Sequence, residues 1–247
     1  MNNNNCIIIP HLSLNDFFII LGIIYYYKSI FNKIYIVAKN TNKDTIENIF
    51  LKENRIIPLF INYEKDILDD EHKIYDLYKN CEIIKIGMNN PNWYQYVSNI
   101  NVGVHPYNYF KTFYEQLNIN YELKFKYEYI NRNYVKEKLL FNEISKNYKD
   151  YIFVFNVNKD NLKSENKKNK IFSPNINLCN NITENILDYS LILEKSIEIH
   201  CTFDYFFFLS MYLNLENVKK FIYTNIINFK DYHPNSKNWT LIYTNKN

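Results

Sequence analysis

The chain has 247 residues, 47% hydrophobic and 22% charged, which is enough apolar material for one large or two small domains and excludes a disordered chain. A formal net charge of +3 calls for no polyanionic partner, so stretches that interleave aromatics with lysines, such as Tyr25-Tyr26-Tyr27-Lys28 and Lys124-Phe125-Lys126-Tyr127, are read as composition and no nucleic-acid partner is expected. That composition (24 Tyr and 18 Phe against 3 Gly, alanine only at Ala38, arginine only at Arg55 and Arg132) is that of a coding sequence drifting toward A and T.

In chain order, Cys6 to Ile9 is a short β-branched run stopped by Pro10, the pattern of a strand buried on both faces. A helix is predicted from Asn15 or Asp16 to about Ile30, with either residue able to cap its first turn. Strands over Lys33–Ala38, Ile56–Ile61 and Glu82–Ile86 then alternate with helices over Asp44–Lys52 and Asp66–Lys79. The periodicity lapses from Gly87 to Tyr109, and helical pattern resumes at Phe110–Leu117 and Val135–Tyr148. Strands are predicted again at Tyr151–Val157, Lys170–Phe172, Ile197–Cys201 and Lys220–Tyr223, with helices at Ile186–Lys195 and Phe203–Leu213. Residues 160–169 read as a polar surface loop. The expectation is an α/β chain of two Rossmann-like lobes with mainly parallel sheets, residues 1–120 and 121–247, and a ligand cleft between them.

Several chemistries are excluded. With glycine only at Gly22, Gly87 and Gly103, no dinucleotide fingerprint, P-loop or nucleophile elbow can be written. The cysteines Cys6, Cys81, Cys179 and Cys201 form no Cys-x-x-Cys pair, which argues against a zinc site or disulfide scaffold and fits a reducing compartment. The acidic run Asp69-Asp70-Glu71-His72 follows no buried strand and is read as an exposed helix face, so no metal site and no cofactor are expected. The N-terminus has no signal-peptide pattern, and the apolar run Phe17–Tyr27 falls short of the ~20 residues of a bilayer span, so the expectation is a cytoplasmic protein without a membrane span.

Four segments carry a resemblance: Ile8-Ile9-Pro10-His11-Leu12-Ser13-Leu14-Asn15-Asp16, Phe113-Tyr114-Glu115-Gln116-Leu117-Asn118-Ile119, Tyr151-Ile152-Phe153-Val154 and Ile197-Glu198-Ile199-His200-Cys201. In order and spacing they resemble small glycosyltransferase-like proteins of GT-B architecture from giant viruses and some phages, distantly similar to heptosyltransferases. The resemblance implies a nucleotide-sugar donor in the C-terminal lobe, a glycan or other hydroxyl acceptor near the N-terminal turn, inversion at the sugar, and no required metal.

Asp16 falls where a strand hands over to a helix and matches the acidic residue of the family turn; it is either the base that takes the acceptor's proton or a helix-start charge stabilised by the helix dipole. His11 is a second base, an acceptor ligand or a strand-end histidine. On the donor side stand His200, Thr202 and Asp204, with Asp204 and Tyr205 where relatives carry two serines; an aspartate there competes with a phosphate for the helix-start N–H groups. Ser13 and Asn15 replace glycines of the first turn, and Phe155 stands where relatives tend to carry His. Arg132 pairs with a donor phosphate or with a carboxylate such as Glu137. These departures keep a second expectation open, a non-catalytic protein of the same fold that has lost donor binding.

Overall fold

The computed structural model describes residues 4–10, 13–62, 74, 76, 78–93, 95, 106–126, 130–157, 162, 170–174, 185–224 and 238–244. They belong to two compact units, one reaching to Asn131 apart from residues 103–107, the other made of those residues and Arg132 onward.

In the first unit the β-branched runs form β1 (Asn5–Ile9), β2 (Lys33–Lys39), β3 (Ile56–Ile61) and β4 (Glu82–Lys85), joined in the order β3-β2-β1-β4 with every pair parallel. The register sets Cys6 beside Ile34 and Glu82, and Ile8 beside Ile36 and Ile84. Parallel strands carry helices on both faces, so both sides of a strand are apolar; Cys6, Ile7 and Ile8 are all wholly buried. One face gathers Ile7, Ile9 and Val37 around Ile74, with Tyr35, Leu59 and Tyr78 packed against them. Of the helix predicted over 66–79, Ile74 and Asp76 are helical and Tyr78 N–H donates to Ile74 C=O, but Tyr78 and Lys79 already form a turn, so the helix ends before its predicted limit; residues 66–73, 75 and 77 lie outside the described residues.

Helix α1 (Leu14–Lys28) holds the most apolar run of the chain, and residues 16–24 are buried without a break. Such a helix has no solvent face; it is packed against α3 (Pro106–Glu115) and α4 (Leu123–Lys126). The Tyr114 hydroxyl donates to Ile19 C=O at 2.7 Å. The helix begins at Leu14, one or two residues earlier than predicted, because Ser13, not Asn15 or Asp16, is the cap: its Oγ accepts from Asp16 N–H. A short 3-10 turn (Asn40–Asn42) precedes α2 (Lys43–Ile49).

The second unit opens with α5 (Tyr134–Ser145), capped by the Asn133 side chain. Its strands β5 (Tyr151–Phe155), β6 (Lys170–Phe172), β7 (Glu198–Cys201), β8 (Lys219–Thr224) and β9 (Trp239–Tyr243) lie in the order β6-β5-β7-β8-β9, again all parallel. Against one face pack α6 (Ser190–Lys195) and α7 (Tyr205–Ser210): Tyr151 Oη donates to Ile192 C=O, and Phe206 meets the rings of Phe153 and Phe155. The helix predicted over 186–195 starts as a 3-10 turn (Ile186–Tyr189), and the one predicted over 203–213 is shorter, since Asp204 caps it and Ser210 Oγ bonds back to Phe207 C=O. Strand β9 was not predicted; an edge strand with Trp239 and Ile242 buried and Thr240 exposed carries a weaker pattern than the central runs.

Both sheets therefore reverse direction once. The first builds outward from β1 to β3 and returns with β4 on the other side of β1; the second goes from β5 to β6 and returns with β7 on the other side of β5. In open parallel sheets the carboxyl ends of the two strands flanking such a reversal leave a crevice, because the following connections leave on opposite faces. Those strand ends are β1 and β4 in one unit, β5 and β7 in the other.

Candidate functional site

At the first reversal, the chain leaving β1 passes Pro10 and enters α1 at Ser13. The Ser13 hydroxyl donates to Asp16 Oδ2 at 2.5 Å while its oxygen accepts from Asp16 N–H at 3.1 Å, a reciprocal cap that fixes the Asp16 side chain. Asp16 is buried. The chain leaving β4 is stitched to the same place: Ile86 N–H donates to Ile9 C=O, and the Asn89 amide to Pro10 C=O. Gly87 makes its turn in the left-handed region, φ 69°, and donates its N–H to Gln116 Oε1 at 3.2 Å. His11 lies outside the described residues.

At the second reversal, the residues following β5 and β7 meet side by side. Asn156, just past β5, takes a left-handed φ of 54°, which asparagine tolerates better than most residues. Its amide donates to Asp204 Oδ2 at 3.4 Å, and the Thr202 hydroxyl donates to the same oxygen at 2.9 Å. Asp204 Oδ1 accepts from Phe206 N–H at 3.0 Å, which makes it the N-cap of α7. The residue is 6% exposed, and burial pushes its carboxyl pKa up to about 7 against the lowering effect of the hydrogen bonds from Thr202, Phe206, Phe207 and Asn156. Desolvation outweighs four donors here, so near neutral pH this group exchanges a proton. Burial also raises the Cys201 thiol, with Asp204 adding to the effect, so this cysteine is an inert core residue.

The remaining donor-side residues are held apart from this cluster. His200 is wholly buried in β7, stacked on Phe221 at 4.5 Å. Its Nε2 lies 3.0 Å from Glu198 Oε2 and its Nδ1 3.0 Å from the Tyr223 hydroxyl. A neutral ring donates from Nε2 to the carboxylate and accepts at Nδ1 from the tyrosine, so both nitrogens are used within the sheet. Burial lowers the His200 pKa more than Glu198 raises it. Arg132 is forked onto two carboxylates: Nε and Nη2 reach Glu137 at 3.0 and 2.5 Å, and Nη1 and Nη2 reach Glu194 at 2.6 and 2.9 Å. Of the two partners open in the sequence, the arginine takes the carboxylate, and Glu194 is a second one that sequence spacing did not offer. The Glu198–His200–Tyr223 chain was likewise missed, because β7 and β8 meet only through the parallel register that sets His200 beside Phe221.

Among the described residues no group of three or more His, Cys, Asp or Glu side chains is arranged to hold a metal ion, and no helix is long and apolar enough to cross a membrane. The run Asp69–His72 lies outside the described residues. Chemically, the two strand-end clusters offer a fixed carboxylate beside a hydroxyl in the first unit, and in the second a carboxyl poised near neutrality with threonine and asparagine side chains around it. Comparison of the chain with protein-family models, curated proteins and solved structures gives no match.

Proposed function

We propose that this chain transfers a sugar from a nucleotide-sugar donor to a hydroxyl of a glycan or similar acceptor, in a GT-B-like arrangement, with inversion and without a required metal. The observation that carries the reading is the coincidence of candidate residues with fold geometry: Asp16 follows the strand on one side of the first reversal, and Asn156, Thr202 and Asp204 follow the two strands flanking the second. In this reading Asp16 accepts the acceptor's hydroxyl proton as its oxygen bonds to the anomeric carbon. The bond from that carbon to the diphosphate oxygen breaks, and the nucleoside diphosphate leaves with the electron pair. Thr202 and Asp204 belong to the donor side. Because Asp204 already fills the first N–H groups of α7, its part is to accept from a sugar or ribose hydroxyl rather than to hold phosphate. His200 and Arg132 serve this site indirectly, by fixing β7 and by tying α5 to α6.

The same capping contact supports a second reading, a protein of this architecture that no longer binds a donor. A melting-temperature screen against nucleoside diphosphates and their sugars separates the two. A ligand that binds the native state alone raises the melting temperature, by about 2.7 kcal/mol of stability at a hundred times its Kd. The transferase reading expects at least one such rise; a flat response across the panel favours the non-catalytic protein.

A further inference from the structure

One buried amide at the first reversal is only half used. Gln116, the residue after α3, is 8% exposed, and its Oε1 accepts from Gly87 N–H at 3.2 Å. That bond fixes which end of the amide is the oxygen. The other end, Nε2, is buried with no hydrogen-bond partner among the described residues. A buried donor without an acceptor is costly, and native structures rarely keep one to no purpose.

The position of the amide indicates what it serves. Gly87 is where the chain turns off the sheet beyond β4, and this exit is held to that of β1 by the bonds from Ile86 N–H to Ile9 C=O and from the Asn89 amide to Pro10 C=O. The Gln116 amide thus lies at the strand ends that frame the first crevice. On the β1 side, in the first turn of α1, Asn15 Oδ1 is likewise buried with no partner among the described residues. The crevice therefore offers one donor and one acceptor, both uncharged. Among the described residues the charged side chains at these strand ends are Asp16 and Lys85, so no excess of positive charge recruits an anion. The Asp16 N–H, which could hold one, is already taken by Ser13. A hydroxyl both donates and accepts, and a sugar carries several on one ring. We propose that this crevice binds an uncharged sugar, with Gln116 Nε2 donating to one of its hydroxyls and Asn15 Oδ1 accepting from another. The role of the bound sugar rests on the sugar-transfer reading, in which it is the acceptor presented to Asp16.

Glutamine occurs only at Gln95 and Gln116, so a full chain labelled with heavy nitrogen in its glutamine amides gives two side-chain signals by NMR. Gln95 is exposed, and Gln95→Glu removes its signal and leaves that of Gln116 assigned. Titration with glucose, galactose, mannose or N-acetylglucosamine is expected to shift the Gln116 signal saturably for at least one of them, while inorganic phosphate leaves it in place. Gln116→Glu keeps an oxygen for Gly87 N–H and loses the donor, so calorimetry should find the affinity for that sugar about tenfold or more weaker, with circular dichroism unchanged. A Gln116 signal indifferent to every sugar overturns the inference, as does one moved by phosphate or an affinity that Gln116→Glu leaves as it was. A saturable shift without turnover of any nucleotide sugar keeps the sugar site and removes the transferase reading; turnover with an unmoved Gln116 signal does the opposite.

Discussion

At the scale of single residues, the cost of Asp204 is the most testable feature. A carboxylate with its ordinary pKa of 3.8 in the unfolded chain and about 7 in the fold binds its proton more tightly when native. Its contribution to stability is therefore whole below about pH 3.8 and is lost as the pH rises through about 7. Asp204→Asn keeps an oxygen to accept from Phe206 N–H and has no proton to lose, so its stability should fall less between pH 4 and pH 8 than that of the wild type. Urea midpoints at a series of pH values decide it; parallel curves would mean that folding leaves the Asp204 pKa unchanged. The role of Asp204 as an occupant of helix-start N–H groups was legible in the sequence, because an acidic residue between a buried strand and an apolar helix has few other places to go. The proton it retains was not, since that depends on how deeply Phe206 and its neighbours bury it. Ser13 was within reach of the sequence too: Ser-x-x-Asp before an apolar run is a capping pattern, and the acid drew attention from the serine.

At the scale of elements, two contacts hold the layers. Gly22 sits where α1 crosses α4, and a Cβ there would lie 2.7 Å from the Tyr114 hydroxyl, 2.8 Å from Lys124 Cα and 2.9 Å from Leu123 C=O. Two of these neighbours are backbone and cannot yield without moving α4. Gly22→Ala gains up to about 1 kcal/mol in helix propensity but forces a shift costing about 1–3 kcal/mol, so a net loss in thermal unfolding is expected. An unchanged or raised melting temperature would mean that α4 adjusts freely. Arg132 is the corresponding tie in the second unit. Glu137 is wholly buried, and Arg132→Ala leaves its carboxylate without the guanidinium, which should cost about 3–5 kcal/mol in denaturant unfolding. A cost below about 1 kcal/mol would place the pair among exposed ion pairs. The central strands were legible in the sequence because a parallel strand buried on both faces is an unbroken apolar run, as in Tyr151–Phe155, buried throughout and predicted over 151–157. Strand β9 was not, because its burial is broken, with Thr240 and Tyr243 exposed, and it follows a long stretch without a periodic signal, whereas the edge strand β3 is an apolar run throughout.

At the scale of the whole molecule, two parallel sheets, each with one reversal and its own core, predict that damage stays local. Hydrogen exchange followed by mass spectrometry should show Gly22→Ala loosening β1 and β2 while β5 and β7 keep their protection, and Arg132→Ala doing the reverse. Loss of protection in both units from either change would mean one cooperative body. The alternation of strands and helices was enough to foresee two α/β units. It did not show strand order, because order is set by contacts between distant segments, and order is what brings Asn156 to Asp204.

The central claim is sugar transfer with Asp16 as the base, and its most direct test follows the donor itself. Phosphorus NMR of nucleotide sugars mixed with the protein and a set of mono- and oligosaccharide acceptors reads release of the nucleoside diphosphate. The account predicts that at least one donor is consumed at a rate proportional to protein, and that Asp16→Asn, which can still accept from Ser13, slows it about 10²- to 10⁴-fold with folding intact. No release above the blank, or release at the same rate in Asp16→Asn, would contradict it.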